Sequence, residues 1–417
     1  MKKSRMVLVL CSVLLVFALC LSLCGCNATV KARDLMQGIK AKETVSVEDI
    51  KPQNVKMTDF ALRLMKATEK KNENTLISPL SVISALAMTA NGADNATLSQ
   101  MEAVFGMTRD EVNAYLHEYM KSLENGEKYK LSLANSIWFN EASRFTVNND
   151  FLQKNADYFG ADIFEAPFDG QTLRDINRWV DKNTDGMIPQ ILDNIPRDAV
   201  MYLINALAFE AEWHEIYEKH QVRSGEFTNA DGKKQKADFM YSSEGHYLED
   251  EKATGFLKSY KGKYAFVALL PKKGVTVSEY LSYLDGEKLS GLLASVQYNT
   301  VNAAIPKFES EFECEMSDAL KNMGIVDAFN PGTADFKKLG TSAEGNISIS
   351  RVLHKTYISV AEKGTKAGAV TVVEMADGTA METDPKEVYL DRPFVYMLID
   401  TENNIPFFIG TMNDVKK

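Results

Sequence analysis

The feature that most constrains the fold is the apolar run from Ala199 to Phe209, which Asn205 alone interrupts. A strand with one face in solvent alternates polar and apolar residues, and this run does not alternate. It therefore predicts a strand that is buried on both faces. Asn205 would then be a buried amide that needs hydrogen-bond partners. A sheet of that kind requires a large fold around it, and 417 residues are enough to build one.

The rest of the chain predicts an α+β fold, because helical periodicity comes early and strand signals dominate later. Helices are predicted over residues 57–69 with Thr58 or Asp59 as the cap, from Pro79 towards Gly92 behind a Ser78 cap, and over residues 172–183. Further strands are predicted at 264–270, 301–308, 393–399 and 405–410. Residues 329–346 and 374–392 are rich in turn residues. No internal repeat or second linker follows residue 55, so residues 56–417 are expected to form a single domain.

The first 26 residues have the layout of an export signal, since a basic start precedes an apolar run from Met6 to Leu23. The residues that close it, Leu23-Cys24-Gly25-Cys26, resemble a bacterial lipobox. This predicts that residues 1–25 are removed, that Cys26 is lipidated and that residues 26–55 form a flexible tether. An uncleaved membrane anchor is the alternative. Both interpretations place the chain outside the cytoplasmic membrane, at the cell surface or in the cell envelope.

Cysteine usage and charge exclude several classes of protein. Four of the five cysteines lie in the first 26 residues, which excludes a disulfide-stapled fold and a cysteine-based zinc site. Without residues 1–25 the chain has 57 acidic against 44 basic residues, so nucleic-acid binding through clustered basic residues is not expected. The five histidines are dispersed, and neither a Gly-x-Ser-x-Gly nor a His-Glu-x-x-His motif occurs. We therefore expect no metal, no cofactor and no enzymatic activity.

Residues 362–373 form an unusual segment in which small uncharged residues alternate with the others. In an extended chain one face carries Thr365, Ala367, Ala369, Thr371 and Val373. The opposite face carries Lys366, Gly368, Val370 and Val372, and Gly364 provides a flexible pivot at the start. The residues that follow, up to Asp391, are polar and typical of a loop. An edge strand that leads into a long surface loop would also fit this pattern.

The surroundings of this segment resemble the serpin family. The resemblance covers nearly all of residues 57–413, and its motifs occur in the family's order. They are Asn74–Ser81 with Ala85-Leu86 and Gly92-Ala93, Ile176–Val180 with Thr184–Gly186 and Ile188, Asn205–Phe209 through Trp213, Pro306-Lys307-Phe308, Asp335-Phe336, His354-Lys355, the hinge at 362–371, and Arg392-Pro393-Phe394. The resemblance implies a serpin-like fold of helices and three β-sheets, with a large central sheet and an exposed reactive loop.

The resemblance also implies a mechanism, in which a protease cuts the reactive loop, forms an acyl-enzyme and is trapped as the hinge inserts into the central sheet. The hinge residues would be Glu362, Gly364, Thr365, Ala367, Ala369 and Thr371. The polar cluster that controls sheet opening would be Ser78, Ser81, Asn205 and His354. Insertion would begin near Lys307 and Trp213, with an ion pair between Lys307 and Glu362. The inward face contains neither a charge nor a proline, which is compatible with insertion. Lys366 departs from the glutamate that the family usually has, but it faces outward.

The reactive bond is expected between Met375 and Glu382, and two ways of counting disagree within this window. Counting from Glu362 places the cut between Gly378 and Thr379, whereas counting back from Pro393-Phe394 places it nearer Glu382. The candidate residues are Gly378, Thr379, Ala380 and Met381. The window contains no Lys, Arg, Phe, Tyr or Leu, which favours an elastase-like or subtilisin-like serine protease as the partner of a monomeric inhibitor. The alternatives are a non-inhibitory serpin that acts as a carrier or chaperone, and an exported solute-binding lipoprotein.

Overall fold

The structure is a computed structural model that describes residues 30–44, 49–196, 199–343, 345–365 and 384–416. Residues Ala32–Lys417 form one compact unit, and Met1–Lys31 form another, of which residues 30 and 31 are described. Several predicted site residues lie outside the described residues: Cys26, Ala367, Ala369, Thr371, Gly378, Thr379, Ala380 and Met381.

The described residues contain nine α-helices: α1 Lys51–Thr68, α2 Pro79–Ala90, α3 Asn95–Phe105, α4 Arg109–Ser122, α5 Asn149–Phe159, α6 Gly170–Asn183, α7 Val277–Tyr283, α8 Gly286–Ala294 and α9 Ser317–Met323. Helix α2 begins as predicted, because the Ser78 side chain accepts a hydrogen bond from the Ser81 N–H and Pro79 occupies the first helical position. No helix in the described part of the chain combines the length and hydropathy needed to cross a bilayer.

Eighteen strands accompany them in the same residues: β1 Arg33–Asp34, β2 Thr75–Ile77, β3 Tyr129–Asn140, β4 Phe145–Val147, β5 Asp162–Ala166, β6 Met201–Glu212, β7 Val222–Thr228, β8 Lys234–Glu249, β9 Ala253–Ser259, β10 Tyr264–Pro271, β11 Gln297–Pro306, β12 Phe308–Glu315, β13 Gly340–Ser342, β14 Arg351–Ala361, β15 Gly364–Thr365, β16 Lys386–Tyr389, β17 Phe394–Asp400 and β18 Ile405–Met412. The mixture of helices and strands confirms the predicted α+β class.

The strands form three sheets. The central sheet has seven strands in the order β1-β5-β3-β6-β15-β14-β12. A second sheet has nine strands, in the order β16-β11-β8-β9-β10-β17-β18-β2 with β7 paired to β8, and β4 pairs with β13 in a third. The predicted two-faced strand is β6, in which every residue from Met201 to Phe209 is buried. It lies near the middle of the central sheet, where β3 pairs with one edge and β14 and β15 with the other.

Several predicted boundaries are wrong. Helix α1 begins at Lys51 behind Ile50, so Thr58 and Asp59 lie inside the helix and do not cap it; Pro52 in the first turn suits this earlier start. The strand predicted over 301–308 is two strands in different sheets, because the chain crosses from β11 to β12 at Lys307. The turn-rich segment 374–392 contains β16, which pairs in parallel with β11. Its Lys386 and Glu387 are exposed, so it shows no apolar alternation.

The structure also differs from the expectation of a flexible tether over residues 26–55. Strand β1 pairs with β5, and the Leu35 N–H donates to the Ile163 carbonyl at 2.8 Å. Further along, the Lys42 N–H donates to Asp157 Oδ1 at 2.8 Å, and Ile39 packs against the core. Backbone pairing and partial burial of apolar residues therefore hold residues 32–42 on the edge of the central sheet.

Candidate functional site

The hinge begins as a strand inside the central sheet. Gly364 and Thr365 form β15, which lies between β6 and β14 and pairs antiparallel with both. Glu362 and Lys363 make the turn that leads from β14 back into β15. Below this point β6 and β14 pair directly with each other, from Tyr202–Arg351 to Leu207–Thr356. The two strands are therefore separated at one end, and the hinge residues Gly364 and Thr365 occupy the gap.

Gly364 is required by this arrangement on two counts. Its φ of +147° is a backbone conformation that residues with a side chain rarely adopt. A Cβ atom at this position would lie 2.0 Å from the Ala211 carbonyl oxygen, which is backbone and cannot move aside locally. The hinge therefore starts with a glycine because the chain passes too close to β6 for any other residue.

Thr365 points into the protein, as the alternating pattern predicts. Its side chain is 1% exposed, and its hydroxyl oxygen lies 2.6 Å from the Tyr260 hydroxyl oxygen. The Tyr260 ring stacks on Trp213, with the ring centroids 4.2 Å apart and the planes 9° from parallel. A buried hydrogen bond to an aromatic stack thus holds the first inward-facing hinge residue.

Two aromatic residues hold the turn with which the hinge begins, Glu362-Lys363. Trp213 donates from its indole Nε1 to the Ala361 carbonyl at 2.8 Å and from its backbone N–H to the Lys363 carbonyl at 2.9 Å. The Tyr217 backbone N–H donates to the Glu362 carbonyl at 2.8 Å. Trp213 was predicted from its place in the family motif, but nothing in the sequence indicates Tyr217 or Tyr260, because neither lies in a periodic or motif-like pattern.

The expected ion pair between Lys307 and Glu362 is present, with Nζ 2.7 Å from Oε1. Lys307 lies at the crossing between the two large sheets, so this contact joins that crossing to the hinge turn. Partial burial raises the pKa of Glu362, but the hydrogen bond and the charge of Lys307, together with a backbone hydrogen bond, outweigh it, and the pKa lies below its usual value. Both side chains are about one-third exposed, so the pair stabilises the fold by less than about 1 kcal/mol.

The four residues assigned to the sheet-opening cluster meet where β6 and β14 pair. His354 lies directly opposite Asn205, and its Nδ1 donates to Asn205 Oδ1 at 2.6 Å. The Ser78 N–H donates to His354 Nε2 at 3.1 Å, which makes Nε2 an acceptor and places the ring proton on Nδ1. Ser81 Oγ donates to the same Asn205 oxygen at 3.1 Å, and all four residues are fully buried.

Burial sets the chemistry of this cluster. It lowers the pKa of His354 from 6.5 to about 3, so the imidazole is neutral at physiological pH. Asn205 Oδ1 accepts two hydrogen bonds, whereas its buried Nδ2 has no acceptor among the described residues. The cluster therefore joins β6, β14 and the start of α2 through a neutral network with one donor unused.

Two further polar residues join the cluster and were missed from the sequence. Asn135 on β3 lies opposite Asn205, and in the amide orientation that satisfies both its polar atoms it donates to the Ser81 carbonyl at 3.3 Å. Thr356 Oγ1 donates to the Leu76 carbonyl on β2 at 2.7 Å. The sequence does not single them out, because β3 and β14 contain several other polar residues, whereas Asn205 stands alone in an apolar run.

In this arrangement β6 and β14 pair directly along part of their length and are separated by β15 at one end. In the described part of the chain, no group of three or more His, Cys, Asp or Glu side chains could bind a metal ion. A central sheet with a gap at one end, a turn hydrogen-bonded beside it and a polar cluster below it is the geometry expected where a strand is added to a sheet.

The family model for serpins, described as serine protease inhibitors, matches residues 55–415, and the chain belongs to this family. The crystal structure of the thermophilic serpin tengpin in the native state is 47% identical; the match covers 92% of this chain and all of that one, with a TM-score of 0.88. The latent state of tengpin is 48% identical over 90% of this chain and all of that one, with a TM-score of 0.78. Human Serpin B9 is 28% identical over 84% of this chain and 96% of its own length.

These matches confirm the resemblance and the serpin fold that the motifs predicted. The TM-score is higher to the native than to the latent state of tengpin, so the present structure resembles the native state more closely. Family membership alone does not assign roles to single residues.

Proposed function

We propose that this chain inhibits serine proteases as a suicide substrate. The protease serine attacks the carbonyl carbon of the reactive bond, an acyl-enzyme forms, and the new N-terminus on the far side of the cut is released. The hinge then inserts into the central sheet before the acyl bond is hydrolysed. The observation that supports this proposal most is β15, because two hinge residues already pair with both strands between which the loop would insert.

The register of β15 specifies where the following residues would lie on insertion. Thr365 pairs with Ala211 on β6 and with Val360 on β14. An unchanged antiparallel register places Ala367 between Phe209 and Ile358, and Ala369 between Leu207 and Thr356. Directly opposed residues point to the same face of a sheet. These four neighbours are buried, so Ala367 and Ala369 would face the core.

The same register divides insertion into two stages. Residues up to Gly368 can insert where β6 and β14 do not pair with each other, whereas Ala369 onwards requires their direct pairs to break, beginning at Leu207–Thr356. Two residues later Thr371 would lie between Asn205 and His354 and would replace their mutual hydrogen bond. The unused Asn205 Nδ2 donor then has a hydroxyl oxygen within reach. The polar cluster thus lies among the direct pairs that insertion has to break.

Insertion is favourable because one strand interface is replaced by two. Each net backbone hydrogen bond contributes about 0.5–1.5 kcal/mol, and the small inward side chains add apolar burial. Over about a dozen residues the gain is on the order of 10 kcal/mol. We assign the target to the elastase-like or subtilisin-like enzymes, because the residues from Met375 to Glu382 suit a small specificity pocket.

A panel of serine proteases tests this function. We expect at least one elastase-like or subtilisin-like enzyme to form a complex with the chain that survives SDS, with a new N-terminus between Met375 and Pro385. The cleaved chain should unfold at a markedly higher temperature than the intact chain, because the loop has become a strand. Cleavage by every enzyme in the panel without a covalent complex or a rise in the unfolding temperature would contradict the proposal.

We also propose that a lipid on Cys26 holds the inhibitor at the outer surface of the cell membrane. The lipobox-like residues Leu23 to Cys26 support this, and an acidic chain gains little from anionic headgroups. The variant Cys26→Ser should fail to incorporate a labelled fatty acid, whereas Cys24→Ser should incorporate it as the wild type does. Equal labelling of the two variants would contradict lipidation at Cys26.

A further inference from the structure

Lys258 occupies a position where the fold otherwise places core residues. It lies on β9 two residues after Phe256 and two before Tyr260, so the three share one face of the strand, and both neighbours are fully buried. Lys258 itself is only 3% exposed. Burying an ammonium group has a large cost unless the charge is paired. The groups that contact the Lys258 ammonium should therefore indicate its role.

The Lys258 ammonium has three partners. Its Nζ lies 2.9 Å from Glu244 Oε1 on β8, and the Glu244 side chain is itself 12% exposed. The same Nζ lies 4.4 Å from the centroid of the Tyr217 ring and 5.5 Å from that of Trp213. Cation–π attraction is strongest when the cation is desolvated, as it is here. One buried cation thus contacts both aromatic residues that hold the hinge turn.

The two rings connect Lys258 to the first step of insertion. The backbone N–H groups of Trp213 and Tyr217 hold the carbonyls of Lys363 and Glu362, and the Trp213 indole holds that of Ala361. Trp213 also stacks on Tyr260, whose hydroxyl contacts Thr365. The ammonium therefore contacts both residues whose N–H groups bind the three carbonyls of the turn.

We propose that Lys258 is a positioning residue for the hinge: anchored by Glu244, it fixes Trp213 and Tyr217 so that the hinge starts insertion in register. This inference rests on the proposed function. Without the cation the two rings lose a shared partner, the turn samples other positions, and insertion slows. The acyl-enzyme then hydrolyses more often before it is trapped.

The first experiment compares Lys258→Met with Lys66→Met, a control that removes the same charge from an exposed position. Lys66 lies on α1, and its Nζ donates to the Leu284 carbonyl at 2.6 Å, away from the hinge contacts described above. We expect Lys258→Met to raise the number of inhibitor molecules consumed per trapped protease about fivefold, the order of a desolvated cation–π contact. Lys66→Met should leave that number unchanged, although both variants lower the unfolding temperature of the intact chain. An equal effect of the two variants on trapping would overturn the proposal.

A second pair of variants covers the case in which Lys258→Met fails to fold. Tyr217→Leu removes the ring but keeps the backbone N–H, and it should raise the same number. Tyr217→Phe keeps the ring and loses only the contact of its hydroxyl with Ser242 Oγ, so trapping should stay normal. If Tyr217→Leu and Tyr217→Phe behave alike, the ring face is not what positions the turn.

Amide hydrogen exchange separates this inference from the proposed function, because it needs no protease. In Lys258→Met the amides of Trp213 and Tyr217 should exchange about tenfold faster, while those of α2 keep their wild-type rates. If the wild-type chain never traps a protease, the proposed function fails, and the exchange rates still decide whether Lys258 positions the turn. Unchanged exchange at Trp213 and Tyr217 would refute that role.

Discussion

Replacing Thr365 by arginine is expected to convert the chain from a protease trap into a protease substrate. Thr365 is 1% exposed between β6 and β14, and its hydroxyl contacts Tyr260. A guanidinium group at this position would be buried without a carboxylate partner, at a cost of several kcal/mol. The hinge would leave the gap between β6 and β14, and the later residues would lose the paired start from which they insert. We expect covalent complexes to fall below about one-tenth of the wild-type yield, since each 1.4 kcal/mol changes a ratio tenfold.

The control for this substitution is Lys366→Glu, which reverses a charge on the next residue of the hinge. The alternation places residue 366 on the outward face, so Lys366→Glu should trap protease as the wild type does. The measurement is the ratio of SDS-stable complex to cleaved free chain, together with the unfolding temperature of the cleaved product. Normal trapping by Thr365→Arg would show that the inward face is misassigned.

Acidification is expected to destabilise the chain through His354. The folded-state pKa is about 3 and the ordinary value is 6.5, so the folded state disfavours the charged ring. The unfolded state binds the proton first, and the stability that neutral His354 provides is complete above pH 6.5 and is lost as the pH falls towards 3. A proton on Nε2 would also face the Ser78 N–H, a donor against a donor. At pH 4 we expect a loss of about 3 kcal/mol relative to pH 7.

Denaturant unfolding across this range measures the loss, and two variants identify its source. His354→Gln should be less stable at pH 7 but should lack most of the acid-dependent loss between pH 6.5 and 4. His220→Gln, at an imidazole whose side chain is 74% exposed, should keep the wild-type profile. A steep profile that persists in His354→Gln would assign the acid sensitivity to other groups.

The parts of the fold that the sequence predicted are those in which local pattern and burial agree. The apolar run that only Asn205 interrupts identified β6, and Ser78-Pro79 marked the start of α2, because each signal arises within a few residues. The split of 301–308 at Lys307 could not be predicted, since both halves are extended and only long-range pairing assigns them to different sheets. Strand β16 was missed for the same reason: its pairing with β11 is all that makes it a strand.

The residues of the site also fall into those that a sequence pattern predicts and those that depend on long-range packing. Motifs identified Ser78, Asn205, His354 and Trp213, because the family pattern marks these positions. Tyr260 and Lys258 belong to the site through stacking and a buried charge, which depend on the relative placement of β6, β8 and β9. A lysine in a strand is normally exposed, and nothing near Lys258 in the sequence indicates that Glu244 lies beside it.

The unused Asn205 Nδ2 donor affects how such a protein can be improved. A buried donor without an acceptor costs about 1–3 kcal/mol, and the register of β15 places the Thr371 hydroxyl beside it only after insertion. A substitution that satisfied this donor in the uncleaved chain would stabilise the uncleaved fold. Under the proposed mechanism it would also reduce the free energy released when the loop inserts. Under the proposed function, a screen for heat resistance would therefore select variants that trap protease poorly. A useful screen has to measure the rate of trapping instead.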